Sequence, residues 1–384
     1  MEQQARETAI LIPSYQPDDK LPAYVAALRE AGMGTVIVVD DGSGPDYAHI
    51  FGQIQQDESV RVLHYTPNRG KGVALKHGMR YLLEECPGCR VIITADSDGQ
   101  HTVPDILRMC ESLHENAEGL LLGSRDFSQE NVPFKSRNGN RITTAVFFLL
   151  YGHWITDTQT GLRGFSRDLL PALLAAKGER FECEMNMLID CAARKVPIRS
   201  LPIQTVYDGN NEGSHFRAVR DSARIYRVIL DGFFRFIFSS LIGFLADYSL
   251  FYLFNSLLAQ YIPELDYHFR FLFIRMLLRI LIATAASRTL SGVINFLVNK
   301  HYVFADRKSA IRSFPRYVTV FLLLMFLSAG FTSSFHIWFG LNENAVKLPV
   351  DVVLFFLSYW LQRKWVFAAD GVSSRGGKGS GHGA

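Results

Sequence analysis

The pattern of apolar and polar positions changes character near residue 230. Before that point short apolar runs alternate with amphipathic stretches. Beyond it, Phe- and Leu-rich segments with few charges follow one another. Residues 9–13 (AILIP), 35–39 (TVIVV) and 91–94 (VIIT) are continuous apolar runs, as in parallel strands covered on both faces, and VRVLHY (60–65) is a further strand. Between the first two runs Leu21, Val25, Leu28 and Ala31 recur at helical spacing, with Pro22 near the helix start. Such alternation predicts a doubly wound α/β sheet with ligands at the carboxyl ends of its strands.

Each strand is followed by a polar turn: PSYQPDD (13–19), DDGSG (40–44) and PNRGKGVALKHG (67–78). The third lacks the GxxxxGK[ST] of a phosphate loop and reads as a Gly-rich entry to a helix, with Lys71 available to a phosphate. The sharpest change of polarity comes after Val91–Thr94, in ADSDGQH. Asp96, Asp98 and Gln100 alternate along an extended segment, so three hard oxygen donors can converge, and Gly99 lets the backbone turn. Such donors suit Mg²⁺ or Mn²⁺ carrying a diphosphate. Asp, Ser and Gly also make ordinary turns, and this stretch alone leaves both readings open.

At 384 residues the chain exceeds one typical domain, and a net charge of +3 gives no argument for nucleic acid as a partner. All five cysteines precede residue 192. Cys86 and Cys89 form a CPGC spacing without a second pair or a histidine at ligand spacing, which favours a turn with two unpaired thiols. An odd count with no signal peptide fits a reducing cytoplasm.

IPSYQ, VVDDGS, NRGKGVAL, ADSDGQH, LLGSRDF and DTQTGLRGF occur in this order. Together they resemble the family 2 glycosyltransferases of GT-A fold, particularly the polyprenyl-phosphate glycosyltransferases related to dolichol-phosphate mannose synthase. The resemblance covers about residues 8–230. It implies a nucleotide-sugar donor (a UDP- or GDP-sugar) held by Pro13, Tyr15, Asp40, Asp41, Lys71 and Ser97, with Asp96, Asp98 and Gln100 holding Mg²⁺ or Mn²⁺ on its diphosphate. The family often has Asn-Glu where this chain has Gln16-Pro17, which leaves Asp18 or Asp19 to take the acidic role and the base unassigned.

The resemblance also implies that Arg125, Arg137 and Arg141 hold the phosphate of a polyprenyl-phosphate acceptor, with Arg217 and Arg220 from the basic run at 215–227. Without it, Arg137 and Arg141 read as a solvated basic helix face. A phosphate monoester is largely dianionic at neutral pH and attacks an anomeric carbon without a general base. Asp96, Asp98 and Arg125 are then the expected catalytic residues, acting by charge and alignment, with inversion at the sugar. Glu182, Glu184 and Asp157 are candidates for sugar contact, although a helix N-terminus favours acids in any case.

The second half contains four apolar spans, Ile237–Tyr261, Ile280–Val298, Val318–Phe339 and Leu348–Leu361, with Phe269–Arg279 interfacial. Lys300, Arg307, Lys308, Arg312 and Arg316 follow the second span, and Arg363 and Lys364 end the fourth. Positive-inside reasoning then puts both termini and the catalytic domain in the cytoplasm. INFLVNKHYVFADR (294–307) and LSYWLQRKWVFAAD (357–370) form a weak repeat, so two duplicated hairpins are expected. This pattern resembles the GtrA-like four-span family. Asp247, Arg288 and Asp351 are costly in a bilayer and are expected to pair or face the bundle.

The organisation expected is thus a GT-A (Rossmann-like) α/β domain at 1–212, an amphipathic juxtamembrane helix at 213–232, an all-α four-helix transmembrane domain at 233–370 and a disordered tail at 371–384. The reading is a multi-pass enzyme of a bacterial cytoplasmic (inner) membrane using undecaprenyl phosphate; homo-oligomerisation stays open. A polysaccharide synthase would want a QxxRW-type motif after the catalytic domain, and 205–235 has no Trp. A lipid-sugar flippase with a degenerate transferase domain is disfavoured by the intact Asp96, Asp98 and Gln100.

Overall fold

The computed structural model describes residues 2–127, 134–204, 218–271, 274–304, 310–339 and 343–367. The chain forms two compact units, dividing between Ile229 and Leu230. In the first, the apolar runs become β1 (Thr8–Ser14), β2 (Thr35–Asp41), β3 (Val60–Tyr65) and β4 (Val91–Thr94), joined by parallel pairings. Their side chains and the helices α1 (Glu2–Arg6), α2 (Lys20–Glu30), α3 (Ala48–Ile54) and α5 (Val103–Glu115) bury a continuous core that includes Ile10, Ile12, Leu21, Leu28, Val38 and Ile93, while α4 (Lys71–Glu85) packs on β1 and β2 with its Gly78 against Leu11 and Val39. The sheet order is β3-β2-β1-β4-β6-β5-β7, with β5 at Leu120–Arg125, β6 at Arg163–Ser166 and β7 at Ile198–Ile203.

The sheet departs from a fully parallel one at β6, which lies antiparallel between β4 and β5. Its four residues, RGFS, are too few to carry a strand period. The insertion matters because it brings the preceding loop, 157–162, to the carboxyl end of β4: Thr94 Oγ1 donates to the Gly161 carbonyl at 2.8 Å. Three further helices follow in this unit, α6 (Phe134–Tyr151), α7 (Leu170–Leu174) and α8 (Glu182–Ala193). The first turns of α9 (Ala218–Tyr261) pack on α6 through Thr143–Tyr226 (3.0 Å) and Tyr151 Oη to the Ile229 carbonyl (2.9 Å). The Cys86–Cys89 segment is a turn closed by Cys89 N–H to the Cys86 carbonyl (3.1 Å), and all five thiols are free.

The second unit contains the rest of α9, then α10 (Leu278–Val298), α11 (Ala310–Phe339) and α12 (Glu343–Leu361), which cover the four expected spans. Among the described residues one stretch, Arg220–Tyr261, is long and apolar enough to cross a membrane by length and composition. The unit is not purely helical. The stretch expected to be interfacial forms an antiparallel pair, His268–Phe271 with Ile274–Leu277. Asp247 pairs with Arg288 at 3.3 Å and accepts from Ser291 Oγ at 3.2 Å, which satisfies two of the costly charges within the unit. The side chain of Asp351 lies outside the described residues, as do the 371–384 tail and the junction at 205–217.

The repeat has a structural counterpart. Both copies contain a π-turn, Asn299–Val303 and Gln362–Val366, closed by Phe304 N–H to the Asn299 carbonyl (2.9 Å) and Phe367 N–H to the Gln362 carbonyl (2.8 Å). The copies are offset by 63 positions, and equivalent residues touch each other. Asn299 Nδ2 donates to Gln362 Oε1 at 3.0 Å, and the rings of Phe304 and Phe367 stack 5.0 Å apart. Asn299 is fully buried.

Candidate functional site

A cavity of about 590 Å³ opens at the carboxyl ends of β1 and β4, where a doubly wound sheet binds its ligands. Pro13, Ser14 and Tyr15 line one wall, Asp41, Asn68 and Gly70 a second, and Asp96, Ser97 and Asp98 the floor, with Lys71 between them. The mouth carries Arg180, Phe181, Arg220, Asp221 and Arg224. Ser14 Oγ, buried in this wall, has no hydrogen-bond partner.

Asp41 organises the Gly-rich turn. Its Oδ1 accepts from Tyr65 Oη (2.6 Å) and Arg69 N–H (2.8 Å), and its Oδ2 from Asn68 Nδ2 (2.9 Å) and Gly70 N–H (2.8 Å). Burial and this contact push the Tyr65 phenol well above its ordinary range. Gly70 has φ +103°, and a Cβ there would strike the Glu179 carbonyl and the Arg180 stem. The turn therefore ends where α4 begins, with Lys71 its first residue. Asp40 is held differently: it accepts from Ser43 N–H (2.9 Å), lies 3.1 Å from His64 Nδ1 and does not line the cavity.

Asp96 is the most heavily engaged floor residue. Lys71 Nζ lies 2.7 Å from its Oδ1, and His101 Nε2 lies 3.4 Å from its Oδ2. Burial works against its charge, but the Lys71 ammonium and then His101 hold the carboxyl far below its ordinary range. Asp98 goes the other way: burial, and then the neighbouring Asp96 charge, raise it. Gln100 donates its backbone N–H to Asp98 Oδ1 (3.0 Å), and its side chain does not line the cavity. Among the described residues no three His, Cys, Asp or Glu side chains form a metal cage.

Behind the floor Lys71 also reaches Glu184 Oε2 at 3.0 Å, and Glu184 is buried against Arg163, whose Nη1 donates to the Glu184 carbonyl (2.7 Å). Arg163 is in turn fixed by Nε to the Thr160 carbonyl (2.9 Å), so it scaffolds this wall. Glu182 folds back onto the turn before α8, accepting from Glu179 N–H (3.1 Å) and Arg180 N–H (3.2 Å). The fully buried Asp157 binds Arg125 through two bonds, at 2.6 and 3.0 Å, and neither residue lines the cavity. Arg137 and Arg141 lie on α6, also away from it. Arg220 does line it, and Arg217 lies outside the described residues.

Of the acceptor-side arginines read from sequence, the cavity thus collects Arg220 and adds Arg180 and Arg224. Arg224 belongs to the basic run noted in the sequence; it lies one turn after Arg220 and 3.4 Å from Asp221. Arg180 had no signal beyond a polar turn, since its approach depends on Gly70, far away in the chain. His101 stands at the end of the acidic motif, whose sequence signal lies in its oxygens, and its contact with Asp96 appears only in the fold.

Residues 9–174 match glycosyl transferase family 2, and residues 235–367 match the GtrA/DPMS transmembrane domain. The UDP-N-acetylglucosamine–dolichyl-phosphate N-acetylglucosaminyltransferase of Methanococcus voltae is 27% identical over 215 residues, 52% of this chain and 85% of that protein. The undecaprenyl-phosphate mannosyltransferase of Micrococcus luteus is 28% identical over 185 residues, 46% of this chain and 74% of its own length. Among solved structures, glucosyl-3-phosphoglycerate synthase from Mycobacterium tuberculosis, in complex with Mn²⁺, UDP and glucosyl-3-phosphoglycerate, aligns with a TM-score of 0.44 and 14% identity, covering 60% of this chain and 82% of that one.

Proposed function

We propose that this glycosyltransferase, a membrane protein in which a family 2 domain is joined to a GtrA/DPMS transmembrane domain, moves a sugar from a nucleotide-sugar donor to a polyprenyl phosphate, with undecaprenyl phosphate as the bacterial acceptor. The observation that carries the reading is a cavity of two signs. Asp96 and Asp98 stand on its floor at the end of β4, and Arg180, Arg220 and Arg224 stand at its mouth. Relatives named as dolichyl- and undecaprenyl-phosphate sugar transferases support the same substrate pair.

The acidic floor fits a hard divalent cation. Asp96 and Asp98 both line the cavity at the end of β4 and offer hard carboxylate oxygens, the donor chemistry such an ion takes. Asp96 and Asp98 would hold Mg²⁺ or Mn²⁺, with diphosphate oxygens completing the set, as Mg²⁺ sites at phosphates commonly do. When bound, the ion would neutralise charge on the departing diphosphate. The remaining work falls to the chain itself. Asp41 fixes the turn that presents Lys71, and Pro13, Tyr15 and Ser97 line the donor side. The mouth arginines align a phosphate oxygen, which attacks the anomeric carbon as the bond from that carbon to the diphosphate oxygen breaks. The product is the inverted sugar on the lipid phosphate, with no general base.

Positive-inside reasoning puts this chemistry at the cytoplasmic face of a multi-pass protein. Purified full-length protein, polyprenyl phosphate, Mn²⁺ or Mg²⁺ and a panel of labelled nucleotide sugars should transfer label to the organic phase for one donor, and excess chelator should abolish it. Undiminished transfer in chelator, or equal use of a neutral polyprenol, overturns the proposal.

Arg220 gives the cleaner test of the acceptor side. Removing Arg125 would strand the buried Asp157 carboxylate, so a loss there would mix structure with binding. Arg220 is exposed at the mouth, and Arg220→Ala should raise KM for polyprenyl phosphate about tenfold while donor KM stays within about twofold. Equal rises in both would remove the assignment.

A further inference from the structure

We propose that Lys71 couples the two halves of donor binding: its ammonium takes up the Asp96 carboxylate, so a divalent cation and a diphosphate each bind more tightly once the other has broken that ion pair. The inference rests on the cation and donor reading given above. Lys71 Nζ lies 2.7 Å from Asp96 Oδ1 and 3.0 Å from Glu184 Oε2. A metal cation on the same carboxylate would meet a like charge at contact distance. One of the three groups must then yield.

Asp96 has little room to do so. A methyl group on Gly161 would collide with both of its carboxylate oxygens, so the carboxylate lies directly against the Gly161 backbone, and His101 stands at its other side. Glu184 is more buried than Asp96 and is held from behind by Arg163, through its backbone carbonyl and an ion pair at 3.9 Å. Lys71 has a four-carbon stem, lines the cavity and lies over the Phe181 ring at 5.8 Å to the centroid, so it is the mobile member. A diphosphate entering the cavity offers that ammonium another anion and thereby frees Asp96. Coupling of this kind is reciprocal by linkage: whichever ligand arrives first bears the cost of breaking the pair, and the second is spared it. The site tends to load both or neither.

The test is Mn²⁺ binding to the full chain without nucleotide, followed by the electron paramagnetic resonance of the free ion. Lys71→Met should bind Mn²⁺ about tenfold tighter than wild type, while its sugar transfer falls. Arg180→Met, which removes another cation of the same cavity that does not pair with Asp96, should stay within about twofold of wild type. Lys71→Gln, neutral but still able to hydrogen-bond both carboxylates, should shift in the same direction and serves if the methionine variant does not fold. Unchanged or weaker Mn²⁺ binding in the Lys71 variants overturns the coupling, as does equal tightening in Arg180→Met. No Mn²⁺ binding by wild type even with UDP or GDP present would instead remove the cation reading, and this inference with it.

Discussion

Asparagine in place of Asp96 is expected to lower sugar transfer by at least about a thousandfold, with the fold preserved. The substitution keeps the shape and one carbonyl oxygen, so the contact with Gly161 survives. It removes the charge that Lys71 and His101 both address. Lys71 retains Glu184, so no buried ammonium is stranded, and the apparent unfolding midpoint should move by no more than about 3 °C. Label transfer and thermal unfolding on the same preparation check the pair of expectations. Transfer within tenfold of wild type would show that the β4 carboxylate is dispensable and would remove it from the chemistry.

The second large effect is expected at Asp41, and there stability and donor binding should fall together. Asp41→Ala deletes the acceptor for Tyr65 Oη, Asn68 Nδ2 and two backbone N–H groups at once, at a residue almost wholly buried. Leaving such donors unpaired costs on the order of 3 kcal/mol, non-additively. For a unit of this size that lowers the midpoint by about 6–12 °C. The same turn presents Lys71 to the cavity, so donor KM should rise about tenfold or more even where the protein is folded. An unchanged midpoint would mean that Asn68–Gly70 keeps its form without Asp41, and Asp41 would then belong to the nucleotide alone.

These expectations also mark what a sequence can disclose. Three of the parallel strands are legible as continuous apolar runs and β3 as an alternating one, and the acids of ADSDGQH because a polar break follows directly on a buried strand. β6 and the Arg180 contact are not. RGFS is too short to show a period, and Arg180 reaches the cavity only because Gly70, more than a hundred residues earlier, lacks a side chain. The Gly-rich turn offers Lys71 to a phosphate, while its pairing with Asp96 and Glu184 depends on three segments that meet only in the folded domain. Local pattern carries element type; convergence of distant side chains needs the topology. Arg125 teaches the same lesson, since its partner Asp157 comes from the loop that the antiparallel strand draws in.

The contacts between Asn299 and Gln362, and between Phe304 and Phe367, have a consequence for the path of the chain. Two helix ends that clasp one another through matching side chains stand at the same depth. In the multi-pass arrangement proposed above, the excursion from Phe304 to Gln362, through α11 and back along α12, therefore returns to the level it left. A reporter fused after each π-turn should then face the same compartment, a geometric outcome that owes nothing to the count of lysines and arginines.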